Sequence, residues 1–221
     1  MEAVLEKKIL TSRRCVICAA GPVNDTNSLI PLLRKDDWVI AADGGIHLAK
    51  KLGLDIDYII ADFDSIQREQ AFNTGAPVSE LPVKKDDTDT MAAARLGLKL
   101  GYSDFLLLGA SGGRLDHTFA NFAVMNFLIK NAAKAILADE KNIVQMLLPS
   151  KRIVDPVENA HFSLLPYGGC VDGLYVRNAE YELENALLSP DFPLGVSNKF
   201  IGRPVEIEFK SGVLLIFISK D

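Results

Sequence analysis

Short, almost wholly apolar runs recur through the first 140 residues, each long enough for a strand and none alternating in polarity. They are Cys15–Ala19, Trp38–Ala42, Tyr58–Ala61, Phe105–Leu108 and Ala135–Ala138, with Val78–Leu81 a more polar strand candidate among them. A strand that is apolar on both faces has to be buried on both, which is the mark of a parallel sheet with a layer on either side. Between the runs lie helical patterns around Ser28–Arg34, Gly45–Lys51, Gln67–Asn73, Thr88–Leu98 and Leu115–Lys130. This alternation predicts an α/β domain whose mostly parallel sheet carries helices on both faces.

The pattern changes after residue 140. Asn142–Leu147, Arg152–Val154, Phe162–Leu165, Cys170–Val176, Val205–Phe209 and Val213–Ser219 read as strands, separated by turns such as Pro166-Tyr167-Gly168-Gly169 and Lys210-Ser211-Gly212. Short strands with regular turns predict a sandwich or barrel-like β domain. Glu182–Leu188 is the one stretch with the makings of one or two helical turns. The expected fold is therefore α/β plus all-β, with the boundary near Asp139–Asn142 dividing 1–140 from 141–221.

Charge narrows the partners. The first 140 residues carry 16 basic and 19 acidic side chains and the remainder 8 and 10, so neither part is a basic platform for nucleic acid. The longest aliphatic-aromatic run, Val213 to Ile218, is far too short to span a bilayer. Met1-Glu2-Ala3-Val4 lacks the basic and apolar regions of a secretion signal, and three cysteines suit a reducing compartment, so a cytoplasmic enzyme is expected. Cys15-Val16-Ile17-Cys18 matches a redox or metal spacing, but lies within an apolar run where positions three apart face opposite ways. Two small core residues are the better reading, and Cys170 has no evident partner.

Acidic and glycine-rich clusters follow these runs: Asp43-Gly44-Gly45, Asp62-Phe63-Asp64-Ser65, Asp86-Asp87-Thr88-Asp89 and Ser111-Gly112-Gly113-Arg114-Leu115-Asp116-His117. Open parallel sheets bind ligands beyond the carboxyl ends of their strands, so these clusters are expected in one crevice. Facing carboxylates call for a cation, and Mg²⁺ takes oxygen ligands while bridging one or two of them to phosphates. Asp62 and Asp64, two apart, point the same way on an extended segment. Gly112-Gly113-Arg114, opening the longest helical pattern, offers amides and a guanidinium to an anion. Neither a Walker A loop nor a G-x-G-x-x-G fingerprint occurs. Each cluster also has a plain structural reading: Asp43 and Asp64 or Ser65 as helix caps, Asp86 to Asp89 as a solvated first turn, His117 as a packing residue. Taken together, they read as a magnesium-nucleotide site.

In this order, Asp-Gly-Gly, x-Asp-Phe-Asp-Ser, Lys-Asp-x-Thr-Asp and Gly-x-x-Gly-Gly-Arg-x-Asp-His resemble the thiamine pyrophosphokinase family. The resemblance continues through Phe192-Pro193-Leu194 and Gly195-Val196-Ser197-Asn198. It implies a Rossmann-like domain, a C-terminal antiparallel β-sandwich that helps bind thiamine, and a homodimer with active sites between subunits. It places Mg²⁺ on Asp62, Asp64 and Asp89, with Asp43 and Asp86 completing the acidic cluster. Nucleotide contacts fall on Gly44, Gly45, Ser65, Thr88, Ser111, Gly112, Gly113, Arg114, Asp116 and His117, and thiamine contacts on Ser197 and Asn198. There are two departures: Ala61 stands where the family has glycine, and Asp191-Phe192-Pro193-Leu194 where it commonly has Ser-Trp-Pro-Leu.

The implied activity is transfer of a diphosphoryl group from ATP to thiamine's hydroxyl with release of AMP. Arg114 would stabilise phosphate charge, and Asp43 or Asp86 would accept the hydroxyl proton. Two rivals are a metal-dependent glycosyltransferase, which accounts for the Asp-x-Asp pair alone, and a non-catalytic nucleotide or thiamine sensor, for which this many carboxylates is excessive.

Overall fold

The computed structural model describes residues 13–62, 68–80 and 87–220, and the chain divides into two compact units at Ala135 and Ile136. The first unit holds strands β1 (Cys15–Cys18), β2 (Trp38–Ala42), β3 (Tyr58–Ala61), β4 (Val78–Glu80) and β5 (Asp104–Leu108). All pair in parallel, in the order β5-β1-β2-β3-β4. The four residues of β1 are completely buried, as a strand apolar on both faces must be.

The helices are α1 (Gly45–Lys51), α2 (Arg68–Phe72), α3 (Asp89–Lys99) and α4 (Leu115–Lys130). Ala41, Ile59 and Ala61 share one sheet face and form a cluster with Ile46 of α1 and Ala71 of α2. Cys15 and Phe105, side by side in register, face the other way, against Gly97 of α3. A side chain on Gly97 would stand 2.5 Å from the Phe105 ring, so the glycine lets α3 sit close to the sheet. The sheet is thus covered on both faces.

At the amino ends of β1 and β2, the Arg14 guanidinium donates to both Asp37 carboxylate oxygens, at 2.9 and 2.6 Å, with both side chains buried. The helix expected over Ser28–Arg34 is reduced to a three-residue 3-10 turn, Ile30–Leu32. Pro31 occupies the first turn, where an amide hydrogen is not needed, and the turn ends where Leu33 becomes extended at ψ 147°.

Strand β6 (Lys134–Ala138) carries the dividing point of the chain. The second unit continues with β7 (Asn142–Leu147), β8 (Lys151–Val154), β9 (His161–Pro166), β10 (Val171–Arg177), β11 (Leu183–Leu188), β12 (Asn198–Lys199), β13 (Val205–Glu208) and β14 (Leu214–Ser219). Two antiparallel sheets result, β12-β9-β14-β7-β6 and β11-β10-β13-β8. Phe162, Leu164, Leu214 and Ile216 from the first share one core with Leu174, Val176, Val205 and Ile207 from the second.

Of Glu182–Leu188, read as one or two helical turns, Leu183–Leu188 is instead strand β11. It pairs with β10 through Val171↔Leu188, Leu174↔Ala186 and Val176↔Leu183, with register shifts between the pairs. Burial of Leu188 against this partner outweighs the local helical preference, and the left-handed residues Gly173 (φ 66°) and Asn185 (φ 48°) lie in the irregular stretch.

Candidate functional site

The order of the parallel strands reverses beside β1: the chain runs to β2 on one side and returns to β5 on the other. Open parallel sheets hold ligands beyond the carboxyl ends of the strands at such a reversal. Pairing persists briefly beyond the strands. The Ala19 amide donates to Leu108 O at 2.8 Å and the Gly21 amide to Gly109 O at 2.7 Å. Gly21 has no room for a side chain, since a Cβ would lie 2.3 Å from Gly109 O and 2.6 Å from Ser111 O. The two connections are thus held backbone to backbone.

Beyond β5 the chain turns through Gly112 and Gly113, both left-handed at φ 78° and 60°, and enters α4 at Arg114. Asn121 on α4 is 7% exposed and donates from Nδ2 to Ala110 O at 2.7 Å, fastening the start of this turn. At the end of β2, Asp43 is itself left-handed at φ 48° and donates its amide to Ile60 O at 2.8 Å. An aspartate tolerates this conformation better than most side chains, and such backbone strain concentrates at functional sites. Thr88 caps α3, accepting from the Met91 amide at 3.2 Å, which sets Asp89 in the first turn.

These segments enclose a cavity of about 640 Å³. Asp43, Asp62 and Asp89 contribute carboxylates to its lining; Ser111, Gly112, Gly113, Arg114 and His117 contribute from the turn and α4, and Thr88 from the cap of α3. Three carboxylates and a guanidinium in one cavity suit a polyanion bound with a cation. Among the described residues no three His, Cys, Asp or Glu side chains form a group able to hold a metal ion. The donors are nevertheless all oxygen, which is the chemistry Mg²⁺ takes.

The remaining expected residues divide. Asp64, Ser65 and Asp86 lie outside the described residues. Asp116 is absent from the cavity lining and instead braces Arg114, its Oδ2 accepting from Nη2 at 2.5 Å and Oδ1 from Nε at 3.2 Å. This hydrogen bonding raises the Arg114 pKa and lowers that of Asp116, so both stay charged. Gly44 lines a neighbouring chamber of about 350 Å³. Gly45 is a packing residue, because a Cβ there would lie 1.8 Å from Cys18 O.

Ser197 and Asn198 belong to the second unit. Ser197 is left-handed at φ 59° and donates its amide to Ser163 Oγ at 3.0 Å. Asn198 is 6% exposed; its Oδ1 accepts from the Tyr181 and Lys199 amides and its Nδ2 donates to Tyr181 O at 2.7 Å. That side chain shapes the loop against β12.

Sequence reasoning missed the segment Ala19 to Pro22, Thr90 and Asn121, which line the cavity together with Gly109, the first glycine of the Gly-x-x-Gly-Gly-Arg motif. The available signals were Gly21-Pro22 directly after a buried strand, and Asn121 one helical turn beyond His117. Cys15 and Cys18 are buried core residues with free thiols, and Cys170 is exposed.

The family description "Thiamin pyrophosphokinase, catalytic domain" matches residues 29–137, and "Thiamin pyrophosphokinase, vitamin B1 binding domain" matches residues 150–214. The chain is 28% identical over 172 residues to thiamine pyrophosphokinase 1 of Oryza sativa subsp. japonica, a match covering 72% of this chain and 64% of the rice protein. Among solved structures it resembles thiamine pyrophosphokinase of Bacillus subtilis, with TM-score 0.85 and 24% identity over 95% of this chain and 99% of that one. The corresponding enzyme of Geobacillus thermodenitrificans aligns with TM-score 0.81 and 25% identity over 95% and 98%.

Proposed function

Because the chain belongs to the thiamine pyrophosphokinase family, we propose that it transfers a diphosphoryl group from ATP to the primary hydroxyl of thiamine and releases AMP. The observation that carries this reading is the cavity at the strand-order reversal, lined by Asp43, Asp62, Asp89 and the Gly112-Gly113-Arg114 turn. The parallel order and its reversal beside β1 also support describing the first unit as Rossmann-like.

The hydroxyl oxygen attacks the β-phosphorus, the bond from the β-phosphorus to the bridging oxygen breaks, and that oxygen leaves with AMP. The protein's part is mainly to hold the groups in line and to offset developing charge. The Gly112 and Gly113 backbone and the Arg114 guanidinium, steadied by Asp116, receive phosphate oxygens. A carboxylate takes the hydroxyl proton; of the candidates Asp43 and Asp86, Asp43 is the one described in the cavity. Asp62 and Asp89, with Asp64, would hold Mg²⁺, which when bound neutralises phosphate charge.

The thiamine-binding role of the second unit, with Ser197 and Asn198, belongs to the same reading, as does a homodimer with active sites between subunits. Among the described residues no helix is long and apolar enough to cross a membrane. A cytoplasmic location agrees with three free cysteines.

Incubation with thiamine, ATP and Mg²⁺ tests the reading. Equal amounts of AMP and thiamine diphosphate, abolished by EDTA, are expected. ADP with thiamine monophosphate, or no thiamine product from folded protein, would overturn it.

A further inference from the structure

An acidic side chain beside the cavity has no part in the reading above. Asp87 stands at the open position of Lys-Asp-x-Thr-Asp. Thr88, Asp89 and Thr90, next along the chain, line the carboxylate cavity, whereas Asp87 is absent from the lining. It is held instead by Arg95 of α3, whose Nε donates to Oδ2 at 2.8 Å and whose Nη2 donates to Oδ1 at 3.4 Å. The same guanidinium lies over the Phe127 ring of α4, its central carbon 4.7 Å from the ring centre.

Helix geometry accounts for the reach. Arg95 lies two turns beyond the cap Thr88 on the same face, and helical side chains lean toward the amino end. A long arginine there returns to the residue before the cap. Its fork engages both carboxylate oxygens, and the ring beneath it sets the plane of the fork. Helix α4 is in turn fastened to the Gly-Gly-Arg turn, because Asn121 donates to Ala110 O at 2.7 Å. The contacts therefore run from that turn through α4, Phe127 and Arg95 to Asp87, at the start of α3.

We propose that Arg95 is a positioning residue for the reaction: braced on Phe127, it keeps Asp87 out of the cavity and sets the Thr88–Asp89 wall against the Gly112-Gly113-Arg114 turn. The inference rests on the diphosphotransfer reading, in which Asp89 and Arg114 serve the same triphosphate. Stability does not explain the contact. The Arg95 and Asp87 side chains are 52% and 37% exposed, and ion pairs that open to water contribute little to folding. Charge supplies a second reason for the pairing. Arg95 alone would set an unbalanced positive charge beside the carboxylates, and Asp87 alone an extra negative one.

The test compares the full chain with Arg95→Gln, Asp87→Asn, the double variant and Arg95→Lys. Each of the first two should lose kcat about tenfold, since a small displacement of one wall is costly, while the KM for thiamine holds. The double variant should be no slower than either, because the two residues act as one unit. Arg95→Lys keeps the charge without the fork and should stay at least about threefold below wild type. Calorimetric binding of pyrophosphate with Mg²⁺, which needs no turnover, should weaken about fivefold in both single variants. Melting temperatures should move by less than about 3 °C. Wild-type kcat and pyrophosphate binding in folded Arg95→Gln and Asp87→Asn overturn the proposal. So do losses that multiply in the double variant, a KM for thiamine that rises in step, full activity in Arg95→Lys, or melting temperatures that fall further in step with kcat. The parent reading fails separately: wild-type protein that forms no thiamine diphosphate refutes diphosphotransfer, whatever the variants do to pyrophosphate binding.

Discussion

Replacing Asn121 by leucine tests how the Gly-Gly-Arg turn is held in place. Leucine has nearly the same size but no donor, so the Ala110 carbonyl loses its 2.7 Å bond in a site where Asn121 is 7% and Ala110 only 2% exposed. A buried acceptor left without a partner costs roughly 1–3 kcal/mol. With a urea m-value of about 1–3 kcal/mol/M, the unfolding midpoint should fall by roughly 1 M at the centre of both ranges, and by about 0.3–3 M across them. The backbone bonds from Ala19 to Leu108 and from Gly21 to Gly109 remain, so the damage stays local to residues 110–114. A turn that must bring amides and Arg114 to developing charge loses rate in proportion, and about 1.4–2.8 kcal/mol of lost stabilisation corresponds to a 10–100-fold fall in kcat. Steady-state kinetics should show that fall, with the KM for thiamine unchanged. A leucine variant with the wild-type midpoint and wild-type kcat would refute the reasoning. Lost stability with full kcat would refute the positioning role alone.

Asp62→Asn keeps the shape of a cavity-lining side chain and removes its charge, so turnover should fall by at least about 100-fold with an unshifted melting temperature; near-normal kcat would count against a metal-binding role. Gly21→Ala puts a methyl 2.3 Å from the Gly109 carbonyl oxygen, and should destabilise the protein by roughly 1–3 kcal/mol, as read by urea unfolding. Cys170 should react with a thiol reagent in the native protein while Cys15 and Cys18 react only on unfolding, because just the first is exposed. Burial lifts the Cys18 thiol from 9.0 to about 12, so above the ordinary value the unfolded chain releases a proton that the folded chain keeps. Its stabilising share is therefore complete below pH 9 and declines as pH rises toward about 12. Urea midpoints measured across that range should fall less steeply in Cys18→Ala.

The parallel sheet was legible because burial on both faces leaves an unmistakable apolar run. The bounds expected for Trp38–Ala42 and Tyr58–Ala61 are those observed, as are those of α1 and α4. What local pattern could not convey was set by distant partners. The strand Leu183–Leu188 exists because β10 pairs with it, and Asn198–Lys199 because β9 does. Asp43, Asp62 and Asp89 could be picked out only as members of an ordered series of clusters, because an acid at one such position also serves as a helix cap or first-turn residue. The wall from Ala19 to Pro22 could not, since alanine and glycine carry no functional chemistry and matter here only through backbone approach to Gly109. Asn121 was hidden for a related reason: a polar residue inside a helix declares itself only when its partner, the Ala110 carbonyl, is seen beside it. Asp116, which the resemblance gives as a nucleotide contact, also accepts from Arg114, a bond that shows only once the turn is seen.

A single turnover with ATP radiolabelled at the β-phosphorus tests the central claim most directly. Attack there predicts that all transferred label appears in thiamine diphosphate, with unlabelled AMP formed in equal amount. Label found in ADP, or thiamine monophosphate as the product, would contradict it.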